Sequence, residues 1–324
     1  VLRGFVSSVD RNVIYLGLVS FFTDLASSMV TTLLPIFVVF VLREGVNKLG
    51  IVVAVATFVS YAFRLLFGFL SDKFHTVKPF IVVGYLISAI SKPLLSFSNT
   101  YLPVVALRGM DRLGKAIRSA PKDSLVSAYV KNNQHGKTFG FYKMMDMAGE
   151  LSGALVIFLV FNITGKNENI IRTIFGWTAL PGAIAVLIAI FLLRDIPKRS
   201  ESVSKSMLNR RDLLLIPLLL TSFGFIFFIL SDQFFILRVR QLGYSLRTIP
   251  IFVILFTLTQ TISSYYSGVL YDRMGVKKSL LISFLLGELS VFALYINLPW
   301  LSFVFLGLFT ILTINTIRSY ISKY

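Results

Sequence analysis

The stretch RGMDRLGKAIRSAPKDS, residues 108–124, sets Arg108, Asp111, Arg112 and Lys115 close together, directly after the apolar run from Tyr101 to Leu107. Positions 108, 112 and 115 are spaced i, i+4 and i+7, so on a helix they form one stripe, with Asp111 beside it and four residues from Lys115. Guanidinium and ammonium groups aligned in this way can hold a carboxylate or a phosphate. Lys143, Asp146 and Glu150 make a second polar stripe at i, i+3 and i+7. Arg108, Arg112, Lys115, Asp146 and Glu150 are therefore the candidate substrate ligands. Asp24, with Ser27, Ser28 and Thr31 on the same stretch, is the candidate proton-coupling acid, and Asp232 is the second. Static readings stand beside these. Arg112 could simply brace Asp146 or Glu150, Asp24 could pair with Arg64 or Arg108, and Asp111 with Lys115. Lys92-Pro93 reads as a kink from which the lysine snorkels to the outer surface. Gly149 and Gly153 read as a helix-packing seam.

These groups are placed in segments that must cross a membrane. The chain is 56% hydrophobic and 15% charged, with a mean hydropathy of +0.79, whereas a soluble domain has about 45–50% apolar and about 25% charged residues. Stretches long enough to span a bilayer lie near 13–42, 50–71, 79–98, 101–126, 137–163, 170–193, 212–238, 248–271, 277–297 and 298–318. A charge at the centre of such a span costs roughly 2.5–3.5 kcal/mol, so four in one span, at about 10 kcal/mol, have to face protein or water. The longest polar stretch, 194–211, reads as a linker between an N-terminal bundle, 1–193, and a C-terminal bundle, 212–324. With the N-terminus in the cytoplasm, more than half of the 32 lysines and arginines fall on the inner side. That asymmetry accounts for the net charge of +17 without a nucleic-acid partner. The lipid bilayer of the cell membrane is the expected surrounding.

Two landmarks recur at an offset of 200 residues. GFLSDKFHTVK at 68–78 aligns with GVLYDRMGVKK at 268–278, and Ile117-Arg118-Ser119 with Ile317-Arg318-Ser319. They fall at the ends of spans two and four and then of spans eight and ten, as duplicated halves would place them. In each copy a glycine permits close helix approach and an aspartate can accept backbone N–H bonds at a helix end. The stripe of charge is not duplicated: positions 308, 311, 312 and 315 are Leu, Ile, Leu and Asn.

The paired GxLxD stretches resemble the signature of the major facilitator superfamily, approximately GxLxDRxGRRxxL, carried in the loops between helices two and three and between eight and nine. The second copy fits with Gly275, Lys277 and Lys278; the first departs at His75, where glycine is usual. SFFTDLASSM at 20–29, the DRLGKAIRSAPKDS run and FGFYKMMDMAGELSG at 139–153 resemble a prokaryotic branch of that family. In that branch the position of Ser28 is often glutamate. Ala154 stands where the family's antiport signature has proline, so that signature is not met. The resemblance implies an all-α integral membrane protein of two pseudo-symmetric six-helix bundles, working by alternating access. It also implies gating roles for Asp72, Lys73, Asp272 and Arg273, and the repeated Arg118 and Arg318 join them as gate or loop-network residues. The family has twelve helices and ten are read here, so helices eleven and twelve are expected to be missing from this chain.

No cofactor is expected. There is no cysteine, the two histidines His75 and His135 are far apart, and there is no GxxxxGK[ST] loop to bind ATP. No nucleophile with a nearby base suggests an enzyme. The expected function is secondary transport of a small organic solute, proton- or ion-coupled and leaning to an anionic or zwitterionic substrate. The alternatives are export of cationic or amphipathic compounds through Asp24, Asp232 and Glu288, and a non-transporting scaffold with partner proteins in a membrane complex.

Overall fold

Apolar runs of spanning length become helices because in hydrocarbon the backbone can satisfy its polar groups only within itself. The computed structural model describes residues 9–74, 76–131, 134–164, 168–195, 235, 238–239, 242–244 and 249–321. Among these the helices are α1 (Arg11–Ile36, continued by a π turn over Phe37–Val41), α2 (Val46–Phe74), α3 (Lys78–Leu94), α4 (Tyr101–Ala128), α5 (His135–Thr164), α6 (Glu168–Trp177), α7 (Ala179–Phe191), α8 (Ile249–Tyr295) and α9 (Pro299–Ile321). There is no strand among the described residues. Six helical stretches are long and apolar enough to cross a membrane: Arg11–Val39, Asn47–Ser71, Lys78–Phe97, Ile170–Phe191, Ile251–Tyr295 and Pro299–Ile321. Helix α4 is long enough, but its charged stripe lowers its apolar content. All of the seventh stretch read from the sequence, 212–238, except 235 and 238, and most of the linker lie outside the described residues.

Helix α8 is 47 residues long and is broken at Gly275, whose φ of 76° lies in the left-handed region. Glycine adopts that conformation without a Cβ clash, so the chain can turn there between two helical arms. A further mark of the duplication is conformational. Arg43 has φ 55° and Gly243, 200 residues on, has φ 90°. Both residues take a positive φ.

The chain forms two compact units, Val1–Lys131 with Met145–Lys198, and Asn132–Met144 with Arg199–Tyr324. The division cuts through α5, whose first turns group with the second unit. In the first unit α4 packs on α2 and α3, and α7 packs on α1 and α3. Met29, Leu33, Phe37, Val104, Ile157 and Phe175 belong to its apolar core. The Phe37 and Phe175 rings meet edge to face at 5.0 Å. Polar contacts tie one end of this unit together. Asn12 and Arg194 exchange two hydrogen bonds, 2.8 and 3.0 Å, and Asp195 accepts the N–H groups of Val77 and Lys78 at the start of α3. In the second unit the two arms of α8 pack on α9 around Phe252, Phe303 and Phe309, and Phe252 stacks on Trp300 at 4.0 Å.

Helices α3 and α4 cross at Gly84 and Gly114, each lying against the other's carbonyl oxygen. A Cβ on Gly114 would stand 2.5 Å from the Gly84 oxygen and 2.9 Å from the Ser88 hydroxyl, whereas one on Gly109 would meet nothing nearer than 3.9 Å. Gly114→Val is expected to destabilise the fold by about 1–3 kcal/mol or more through overpacking. Gly109→Ala is expected to be neutral or stabilising by up to about 1 kcal/mol. Thermal melting of the two variants in the same detergent checks the contrast; equal shifts would refute the close crossing.

Candidate functional site

The charges of α4 are sorted by the crossing just described. Because Gly84 and Gly114 let the backbones touch, Asp111 of α4 is brought against α3, where Lys92 waits. Asp111 Oδ1 is 3.1 Å from Lys92 Nζ and its Oδ2 is 3.1 Å from Arg108 Nη1. Lys92 is 2% exposed and also donates to the Ser88 carbonyl. Two sequence expectations are corrected here. Lys92 does not snorkel, because it is enclosed by α3 and α4 with a carboxylate in reach. Asp111 pairs with Arg108 and Lys92 rather than with Lys115, because it faces the α3 crossing and Lys115 does not.

One turn beyond Gly114, Arg118 is buried as well. It donates to the Gly84 carbonyl at 2.9 Å and to Ser88 Oγ at 2.7 Å, and lies over the Tyr85 ring at 4.5 Å. Tyr85 OH is 3.0 Å from Ser20 Oγ of α1, and Lys122 donates to that hydroxyl at 3.4 Å. Lys122 Nζ stands 4.0 Å from the buried Asp146 of α5. Arg118 and Lys122 thus join α4 to its neighbours inside the first unit.

The acids arrive on two helices held closely together. Gly149 lies against the Phe21 backbone and Gly153 against the Leu25 backbone, so α5 and α1 meet along the expected glycine seam. Ser28 Oγ donates to the Glu150 carbonyl at 2.8 Å. Asp24 and Glu150 are the carboxylates that act most on Lys115, and Arg112 and Arg118 are its cationic neighbours. The structure therefore brings Asp24, Arg112, Lys115 and Glu150 into one electrostatic group on α1, α4 and α5. Arg112 and Lys115 are half-buried and form no hydrogen bond or ion pair with any described side chain. Arg108 is committed to Asp111, with a longer bond of 3.5 Å to Thr31.

Other candidates stand apart from this group. Asp232 lies outside the described residues. Asp72 is placed in α2 by its backbone alone, and Lys73 beside it is exposed. Glu288 and Arg273 are exposed, and Arg318 is half-buried in the last turn of α9. Asp272 has a defined partner within the second unit. Its two carboxylate oxygens accept the N–H groups of Gly136 and Lys137 at 2.9 and 2.8 Å, capping the start of α5. Sequence reasoning anticipated a backbone acceptor but not the helix it caps. The signal was the four-residue spacing of Gly136 and Gly140 against that of Ser264, Gly268 and Asp272.

Helical bundles with a charged half, a repeated GxLxD turn and no catalytic group among the described residues are the features of a solute carrier. The chain belongs to the Major Facilitator Superfamily, a family of secondary transporters, which it matches over residues 16–324. It is 28% identical over 289 residues to an uncharacterized MFS-type transporter of Methanocaldococcus jannaschii, covering 86% of this chain and 70% of that one. Uncharacterized proteins of Mycobacterium bovis and Mycobacterium tuberculosis are 29% identical over 161 residues, 48% of this chain and 39% of theirs. The fold is similar to that of the human organic anion transporter MFSD10 (TETRAN), with TM-score 0.75, 15% identity and coverage of 97% of this chain and 86% of that one. It is also similar to the nucleoside transporter NupG, with TM-score 0.60, 14% identity and the same coverages.

The sorting of charge predicts a split among variants. Asp111→Ala strands two buried cations and is expected to cost about 3–5 kcal/mol. Arg112→Ala and Lys115→Ala break no direct ion pair with a described side chain and are expected to melt close to the parent protein. Thermal unfolding in detergent measures this. A loss from Arg112→Ala as large as that from Asp111→Ala would place Arg112 in the framework instead.

Proposed function

We propose that the chain is a secondary transporter of a small organic anion or zwitterion, with Arg112 and Lys115 as the groups that hold its negative charge. The observation that carries this is that these two cations, alone among those of α4, make no direct hydrogen bond or ion pair with a described side chain. A half-buried cation without a direct ion pair is open to an anionic ligand as its partner. Arg108 shapes the same stripe from its pair with Asp111, and Asp146 and Glu150 line it from α5. Asp24 and Glu150, the acids that act on Lys115, are the coupling groups, with Asp232 as a second carrier in the C-terminal half. A proton on either acid frees Lys115 for substrate, and this links uptake to a proton gradient.

The accompanying architecture is two bundles, 1–193 and 212–324, joined by the linker 194–211, in a cell membrane with the N-terminus cytoplasmic. Access alternates between the two sides. Asp272 and Arg273, with Asp72, Lys73, Arg118 and Arg318, act at the inner gate. Support for the anionic reading comes from the net positive charge of the first unit's spans and from the organic anion transporter whose fold is similar. The prokaryotic branch resembled by DRLGKAIRSAPKDS is the proposed subfamily.

Counterflow in proteoliposomes with parallel panels of organic anions, zwitterions and cations tests the reading. Exchange is expected for anionic or zwitterionic solutes, faster with an inward proton gradient. Arg112→Ala is expected to abolish it, by about a hundredfold or more, with folding intact. Exchange confined to cations, or unchanged in Arg112→Ala, would refute the assignment and favour the exporter alternative.

A further inference from the structure

The first GxLxD stretch, 68–78, ends on a helix that cannot cap itself. Helix α3 begins at Lys78, and its N-cap residue is Val77, which makes no side-chain cap bond. Valine has no side-chain acceptor for the first N–H groups of a helix and is disfavoured at that place. Position 75 is histidine, whereas the second copy has Gly275 there, with φ 76°. The first copy therefore has neither the glycine that eases such a turn nor a local cap that fastens the helix after it.

The missing acceptor comes from the residue that follows α7 at the start of the linker. Asp195 Oδ1 accepts the N–H groups of both Val77 and Lys78, at 3.0 and 3.2 Å. It also sets a carboxylate at the positive end of α3. Lys78 returns the contact: its Nζ donates to the Ile190 carbonyl in the last turn of α7, at 2.8 Å. The main chain that carries Asp195 is itself held. The side-chain amide of Asn12 takes both the N–H and the carbonyl of Arg194, and Tyr129 OH donates to the Asp195 carbonyl at 2.9 Å. All of these residues belong to the first unit.

This contact does more than close the end of the unit. Lys131 and Asp10, 2.9 Å apart, already join the end of α4 to the start of α1. That pair touches no part of the 68–78 stretch, while Asp195 acts on its last two residues. We infer that Asp195 is a positioning residue for this turn: the start of the linker supplies the cap that fixes where α3 begins, and so closes the turn that carries Asp72 and Lys73. The consequence for the inner gate rests on the gating role proposed for those two residues; the cap does not.

The test uses the full chain in detergent and needs no transported solute. The chain has no cysteine, so a nitroxide attached in Lys73→Cys reports on the turn alone. In Asp195→Ala the amides of Val77 and Lys78 are expected to exchange with deuterium about tenfold faster and the label to tumble faster, while amides 108–118 stay within about twofold. Asp195→Asn keeps an acceptor of equal rank at a helix cap and is expected to restore both readouts. Tyr129→Phe, which releases the Asp195 main chain but leaves the carboxylate, is expected to move both in the same direction by about threefold, and it decides the matter if Asp195→Ala does not fold. Lys131→Ala is expected to change neither. The inference is overturned if either readout is unchanged in Asp195→Ala, if Asp195→Asn behaves like Asp195→Ala, or if 108–118 accelerate equally, since the whole unit would then have loosened. Absence of anion exchange would refute the proposed function and leave this result standing.

Discussion

A charge in a hydrocarbon slab has to be answered by an opposite charge or by water, and in this protein Asp111 is where that rule is enforced. One carboxylate meets Lys92 and Arg108, both nearly inaccessible, and stands in the field of Arg112 and Arg118 as well. Ion pairs buried in this way add little net stability, because desolvation consumes most of the Coulomb gain. What they impose is arrangement. Lys92 can be inside only if α3 lies against α4 at the one register that presents Asp111, and the glycine contact at Gly84 and Gly114 is the register that does so. Arg118 then fastens to the carbonyl of the same Gly84. The crossing of two helices, the burial of two cations and the position of a third are one constraint.

That constraint also determines what is left over. Asp111 is a single negative charge, and Lys92 and Arg108 already exceed it. Arg112 and Lys115, one turn further along the stripe, cannot be answered by it. Lys115 lies in the field of Asp24 of α1 and Glu150 of α5, without a direct pair to either. The C-terminal half gives a contrast. There α8 and α9 are tied by neutral groups, Gln260 to Thr310 at 2.8 Å and Ser302 to the Ser290 carbonyl at 2.8 Å. Hydroxyls and amides suffer far less desolvation than ions, so helices of the same ancestry pack without charge. Among the described residues the α8–α9 packing is tied by neutral groups and the α3–α4 packing by charged ones.

The parts of this arrangement that could be read from the sequence are those set by local physics. Apolar runs of spanning length marked the helices, and the cost of four charges in span four marked that span as inward-facing. The GxLxD repeat exposed the duplication, and Gly275 supplied the left-handed turn that the pattern calls for. The pairings were not legible, because they depend on which faces cross. Lys92 reads as a snorkelling lysine when only its proximity to the end of a span is considered. It becomes an internal partner once α3 is laid on α4. Asp111 and Lys115 are four residues apart on one helix, and that local pairing yielded to a cross-helix one. The glycine pairs of α5 announced close contacts by their spacing, but neither Phe21 nor Gly268 could be named as the surface they touch. Positive φ at Arg43 was hidden for a different reason: nothing in a single arginine signals a turn whose glycine is visible only in the other half.

Helix α5 is where packing and chemistry meet. Gly136 and Gly140 meet α8 within the second unit, and Gly149 and Gly153 meet α1 within the first, each by backbone contact. The polar residues of the stripe, Lys143, Asp146 and Glu150, fall in the stretch from the end of the first seam into the second. Glycine is a poor helix former in an exposed setting, and four of them in one helix weaken it as an independent element. Their use here is intelligible if the helix is defined by what it touches. Asp146 and Glu150 are then positioned by the seam of their own unit, where Gly149 and Gly153 lie against the α1 backbone.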